Sequence, residues 1–175
     1  SVIARTEPIE FRQRHNNDAR YQNVLERLKN MIDGNDMLGI AATIYKNATY
    51  VAIAAKVTLD GAKPSLEKLW CVQDCGLVVS PDQVRAQIEG NLVWGISMAL
   101  YEQFQLADGI ALTDNFHNYH LVRNQDVPEI NIELISSELN PSGAGEAAFA
   151  PAAAAICNAI YRVSGRRVRQ LPATL

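Results

Sequence analysis

The sequence predicts an α+β fold, with mixed, mostly antiparallel sheets and helices packed on them. Three observations carry this prediction. Apolar, β-branched and aromatic runs separated by tight-turn residues occupy residues 38–45, 49–59 and 65–72. A long stretch after Pro81 repeats an apolar residue at every fourth position, the period of a helix with one buried stripe. The segment from Ala147 to Ile160 is alanine-rich, and alanine has the strongest intrinsic helix preference. One or two mostly antiparallel sheets, with one long and one alanine-rich helix packed on them, place the chain among α+β folds.

Each element has a local reason. Residues 1–17 are polar and basic with little periodicity and predict an extended arm. Tyr21, Val24, Leu25, Leu28 and Met31 fall at helical spacing, so residues 18–31 predict a helix, ended by Gly34, Asn35 and Asp36. Lys46-Asn47-Ala48 separates the first two strands, and Asp60-Gly61 turns the chain into the third. Ser80 suits a helix cap, Pro81 the first helical position and Asp82 the first turn. Val84, Ile88, Leu92, Ile96, Leu100 and Phe104 then continue one stripe. Gly90 and Gly95 interrupt that helix at a cost of about 1 kcal/mol each relative to alanine, which predicts close packing there. Asp108-Gly109 turns the chain again, and short strands are predicted near 110–113, 120–123 and 129–135. A glycine turn from Pro141 to Glu146 precedes the last helix, which runs to about Val163 and closes at Ser164-Gly165.

Composition excludes several function classes. The chain has 175 residues, 48% apolar and 20% charged, enough for a real core in one domain or two small lobes. A net charge of −3 offers no global basis for binding nucleic acid or an anionic membrane. The basic group Arg162, Arg166, Arg167 and Arg169 reads as the solvated C-terminal end of a helix. The three cysteines Cys71, Cys75 and Cys157 form neither a disulfide framework nor an iron–sulfur ligand set. No apolar run predicts a membrane span, because the alanine-rich segment is short and holds Pro151. The chain opens on Ser1 rather than Met, as a processed product, a fragment or a trimmed chain would.

The chemistry gathers at Ser142-Gly143-Ala144-Gly145-Glu146. Two glycines allow a ligand close to the backbone, and the amides at a helix start attract anions. A first-turn Glu is also favoured by the helix dipole alone, but Glu146 is the only acid from Pro141 to the end of the chain, which makes it the residue to explain. Gly143-x-Gly145-x-x-Ala148 matches a loose dinucleotide fingerprint, yet no later acid exists to bind a ribose and no second strand completes the unit. His117 and His120 lie in a loop-and-strand segment without a third ligand, and Cys71 and Cys75 read as core residues. Gly-x-Ser-x-Gly is absent, which removes the nucleophile elbow of the α/β-hydrolases.

Several motifs occur in an order that resembles a known family. Asp74-Cys75-Gly76-Leu77-Val78-Val79-Ser80-Pro81-Asp82 and Gln87-Ile88-Glu89-Gly90 are similar to the large subunit of the molybdenum hydroxylases, the xanthine dehydrogenase and aldehyde oxidase superfamily. Asn115-Phe116-His117-Asn118-Tyr119, Val127-Pro128-Glu129-Ile130 and Gly143-Ala144-Gly145-Glu146 follow in the family's order. Glu10-Phe11-Arg12, Val24-Leu25-Glu26, Asn158-Ala159-Ile160, Gly165-Arg166-Arg167 and Leu171-Pro172 look most like the isoquinoline 1-oxidoreductase and bacterial aldehyde dehydrogenase branch.

The resemblance implies that residues 1–175 are the C-terminal portion of a molybdopterin-binding domain. It implies Glu146 as the catalytic base, partly buried beside the cofactor, Gln87 as a pterin contact, and the backbone of Gly143, Ala144 and Gly145 as cofactor lining. The implied cofactor is molybdenum–molybdopterin, as its cytosine dinucleotide, shared with a larger molybdopterin-binding chain. Iron–sulfur clusters would sit on a further subunit, with a flavin or cytochrome acceptor beyond. The implied reaction oxidises an N-heterocycle or an aldehyde with oxygen from water. A non-catalytic assembly subunit with the same fold and a phosphate-ligand binding module are the rival readings. Ala147, where many relatives have Pro, and Ser80, where the family often has Asn, depart from the pattern.

Overall fold

The computed structural model describes residues 1–32 and 37–174. Its centre is a meander of three antiparallel strands, β1 (Gly39–Tyr45), β2 (Thr49–Asp60) and β3 (Lys63–Asp74). Helix α3 (Pro81–Leu100) leads away from β3, and β6 (Glu129–Ile135) returns beside β3 in parallel, giving the order β1-β2-β3-β6. A return in the same direction needs a long crossover, which α3 and the loops after it provide. Lys68 pairs with Glu129 across that junction, with Nζ 2.7 Å from Oε1. The sheet is therefore mixed and mostly antiparallel, as predicted.

Helices cover both faces of this sheet. The strands are consequently buried on both sides and apolar almost continuously through β2, rather than cleanly alternating. On one face Ile40, Tyr50, Ala52, Ala54, Trp70 and Val72 meet α2 (Ala19–Met31) through Tyr21, Val24, Leu25 and Leu28. Asp18 caps α2 by accepting from the amides of Arg20 and Tyr21. Those bonds, the Tyr21 amide first, hold its carboxyl below the ordinary range. Arg20 then grips the buried Asp74 with two nitrogens, at 2.9 and 2.6 Å, and lies over the Tyr50 ring. This ties the start of α2 to the end of β3.

On the other face Val51, Ile53, Ala55, Leu69 and Cys71 meet α3 and α4 (Phe149–Ser164). Here packing distance is set by residues without side chains. A Cβ at Gly39 would lie 2.1 Å from backbone atoms of both Ala155 and Ala159, so α4 rests directly on the backbone of β1. A Cβ at Gly95 would lie 2.7 Å from Ala152 Cβ and 2.8 Å from the Phe149 carbonyl oxygen, so α3 meets α4 just as closely.

Several expectations change. Residues 1–17 do not form an extended arm: α1 (Pro8–His15) lies within them, capped by Glu7 and anchored by the buried Ile9. Pro8 occupies a favoured first-turn position, and this starting signal outweighs the weak periodicity. Gly34, Asn35 and Asp36, expected to end α2, lie outside the described residues. Helix α3 stops at Leu100, so Phe104 leaves the stripe and is 60% exposed. Ser80 makes no side-chain capping bond. Gly95 packs closely as expected, whereas a Cβ at Gly90 would meet nothing. Residues 120–123 form no strand, and the strand near 110 is only β5 (Ile110–Ala111), paired with β4 (Leu106–Ala107). Cys71 and Cys75 are buried free thiols, and burial raises both pKa values.

One strand glycine and one helix glycine make a paired prediction. Gly39→Val forces side-chain atoms into immovable helix backbone and is expected to destabilise the protein by at least about 3 kcal/mol. Gly90→Ala fills open space on an exposed helix face and is expected to stabilise it by about 1 kcal/mol. Thermal unfolding of the two variants beside the parent checks both signs.

Candidate functional site

The glycine turn lies where three elements end. The β1–β2 hairpin closes through Lys46 and Asn47, both with positive φ, and Ala48 N–H donates back to the Tyr45 carbonyl at 3.0 Å. The buried Thr49, first residue of β2, then reaches the glycine turn. Its hydroxyl donates to the Gly143 carbonyl at 2.8 Å and shares a 2.7 Å hydrogen bond with the Ser142 hydroxyl. Ser142 N–H in turn donates to the Cys75 carbonyl at 2.8 Å, just past the end of β3. From the other side Asn91, buried on α3, donates through Nδ2 to the Gly145 carbonyl at 2.8 Å and to the Gln87 carbonyl at 2.7 Å. The turn is thus held at both ends by buried side chains, each on a regular element.

Glu146 follows. It is not in the first turn of α4, which begins at Phe149 and is capped by Ala148 without a side-chain bond. The Glu146 side chain is exposed rather than partly buried in this chain. Its Oε2 accepts from the Tyr45 hydroxyl at 2.5 Å, and Oε1 has no hydrogen-bond partner among the described residues. Tyr45, Lys46, Ala48, Thr49, Gly143, Gly145 and Glu146 line a cleft of about 590 Å³. The neighbouring Tyr45 first, and then the Glu146 carboxylate, hold the exposed Lys46 ammonium above its ordinary pKa.

The five residues singled out from sequence come together. Gln87 is exposed on α3, and its Oε1 lies 3.6 Å from the position of a Cβ built on Gly145. Gly143, Ala144 and Gly145 form the strip between Thr49 and Asn91. Neither glycine of the strip has positive φ, so sharp turning is not what calls for them. A Cβ at Gly143 would meet nothing, and one at Gly145 would meet only Gln87. The absent side chains leave the backbone open to the cleft.

Sequence reasoning missed Tyr45, Thr49 and Asn91. Asn91 did leave a signal, a polar residue beside the apolar stripe of Ile88, Leu92 and Ile96. Tyr45 and Thr49 left none, since their partners are 101 and 94 residues away. Two buried polar residues remain incompletely bonded among the described residues. They are Asn91, at Oδ1, and Gln73, at both side-chain polar atoms. His117 and His120 are exposed loop residues, and the described residues hold no cluster of three metal-ligating side chains. Another depression, near Arg12, Arg162 and Arg167, has two of its arginines engaged elsewhere. Arg12 donates to the carbonyls of Pro8 and Ile40, and Arg167 covers the Tyr161 ring.

Comparison with known proteins identifies the family. Residues 20–128 match the molybdopterin cofactor-binding domain family. The chain is 34% identical over 95% of its length to the isoquinoline 1-oxidoreductase beta subunit from Brevundimonas diminuta, of which it spans 23%. It is 33% identical over 82% of its length to the membrane-bound aldehyde dehydrogenase (pyrroloquinoline-quinone) from Gluconacetobacter polyoxogenes, of which it spans 19%. The chain therefore spans about a quarter or less of these relatives. Among solved structures, it superimposes on quinoline 2-oxidoreductase from Pseudomonas putida 86 with a TM-score of 0.61 and 27% identity, covering 71% of this chain and 17% of that one. The aldehyde oxidoreductase from Desulfovibrio desulfuricans gives a TM-score of 0.63 and 28% identity, covering 71% of this chain and 14% of that one. Fold, ordered motifs and family match converge: this chain belongs to the molybdopterin cofactor-binding domain family of the molybdenum hydroxylases.

Proposed function

We propose that this chain is the C-terminal portion of a molybdopterin-binding domain and supplies the general base and part of the cofactor wall of a molybdenum hydroxylase. The observation that carries this reading is Glu146: a carboxylate on the rim of an open cleft, with one oxygen held by Tyr45 and the other without a partner among the described residues. A base needs a free lone pair within reach of the proton it accepts. Oε1 of Glu146 has one.

The residues present fit a pterin-bearing group. Its ring edge carries hydrogen-bond donors and acceptors, and the wall offers matching amide chemistry in the exposed Gln87 side chain and the open backbone of Gly143–Gly145. When bound, the molybdenum cofactor supplies the two-electron redox chemistry and the activation of water-derived oxygen. Around it, Gln87 orients the pterin edge, the strip from Gly143 to Gly145 sets how closely the ligand approaches, and Glu146 accepts a proton at Oε1. The substrate class is an N-heterocycle or an aldehyde. The cofactor form is the cytosine dinucleotide. Electrons leave for iron–sulfur clusters on another subunit and then a flavin or cytochrome acceptor.

A larger partner chain is supported by the surface. Phe104, Leu106, Ile110, Leu112 and Phe116 are all at least half exposed, Phe116 at 85%, around the isolated β4–β5 hairpin. Exposed apolar side chains in this number are what contact with a further polypeptide would bury.

Two substitutions in the assembled complex test the reading. Glu146→Gln is isosteric and is expected to lower kcat by about 10²–10⁴-fold, the range for a lost general base, with molybdenum content unchanged. Near-normal turnover would remove Glu146 from the reaction. Gln87→Ala removes one cofactor hydrogen bond, worth about 1 kcal/mol, and is expected to weaken retention about five-fold. Molybdenum per complex after dialysis measures it, and an unchanged value would count against the contact.

A further inference from the structure

Tyr45 occupies a position that no local rule assigns. It is the last residue of β1, paired with Thr49 across the hairpin, and its ring packs half-buried against the core beneath α4. Its place is therefore set by strand register and core packing, independently of the glycine turn. Its hydroxyl nevertheless meets Glu146, which lies 101 residues further along. Lys46 sits alongside, with Nζ 5.1 Å from the Tyr45 ring centroid. The Glu146 side chain is exposed and has three rotatable bonds. Without a tie it would sample many rotamers, each directing the carboxylate differently.

We propose that Tyr45 is a positioning residue for Glu146: its phenol holds Oε2 against the wall of the cleft, so that Oε1 is the oxygen presented to the bound ligand. The proposal rests on the reading of Glu146 as the base. It assigns the aim of the carboxylate to a strand end rather than to the loop that carries it, and groups held by regular elements are placed more accurately than groups on loops. The hydroxyl contributes a donor that phenylalanine cannot, while the ring contributes the packing that phenylalanine keeps.

Tyr45→Phe in the assembled, molybdenum-loaded complex separates these contributions. The expected result is a fall in kcat of about ten-fold, the order set by freeing the carboxylate rotamers, with KM, molybdenum content and thermal midpoint unchanged. A second readout does not depend on turnover. Carbodiimide labelling of Glu146 in the same complex, followed by peptide mass spectrometry at one fixed pH, is expected to be several-fold faster in Tyr45→Phe, because Oε2 is no longer covered. Parental kcat, or a parental labelling rate, overturns the proposal. Glu146→Gln measured alongside distinguishes the two failures. Normal turnover in that variant removes the base and this proposal with it. An inactive Glu146→Gln beside a fully active Tyr45→Phe overturns the tether alone.

Discussion

The approach of α4 to the sheet is the constraint on which the rest of the structure depends. Its backbone runs where a side chain at Gly39 would stand, and its alanines face both β1 and α3. Such contact requires small residues on both surfaces, because the interior is packed too densely to absorb even one extra methyl group. The consequence reaches beyond stability. Once α4 rests on β1 and against Gly95 of α3, the turn that precedes it has one place to go, over the end of the sheet between the β1–β2 hairpin and α3.

The candidate site is built from that junction. Its chemistry lies on irregular backbone, but the groups that hold the backbone do not. Thr49 in β2 and Asn91 in α3 hold the turn backbone, and Tyr45 in β1 holds the Glu146 side chain. Thr49 and Asn91 are buried and donate to turn carbonyls that would otherwise compete for water, which restricts the loop without lengthening any element. The Arg20–Asp74 pair does similar work one layer away. Gly76 N–H donates to Asp74 at 3.0 Å, so the pair orders the segment leading from β3 toward α3.

The elements most legible in the sequence were those with strong punctuation. Lys46-Asn47 and Asp60-Gly61 marked real turns, and Ser164-Gly165 ended α4 with a left-handed glycine. The misreadings share a cause. Helix α1 has little amphipathicity and a polar composition that masks it, although Glu7 and Pro8 carried a starting signal. Phe104 continued the helical period past Leu100, but periodicity records spacing and not where backbone hydrogen bonds stop. Gly90 and Gly95 looked alike because a sequence shows which residue lacks a side chain and not what would have met it. Glu146 was expected in a first turn, yet the helix begins three residues later.

Local pattern was sufficient for the kinds of element, most of their order and the chemical outline of the site, since these depend on residues within a few positions of one another. The ordered motifs also carried the family. Tertiary structure alone decided what surrounds Glu146. Tyr45, Thr49 and Asn91 come from three elements, and each reaches the turn only because a helix of small residues lies directly on the sheet. No local rule couples residues so far apart. Their meeting follows from packing distance, and packing distance exists only once the chain has folded.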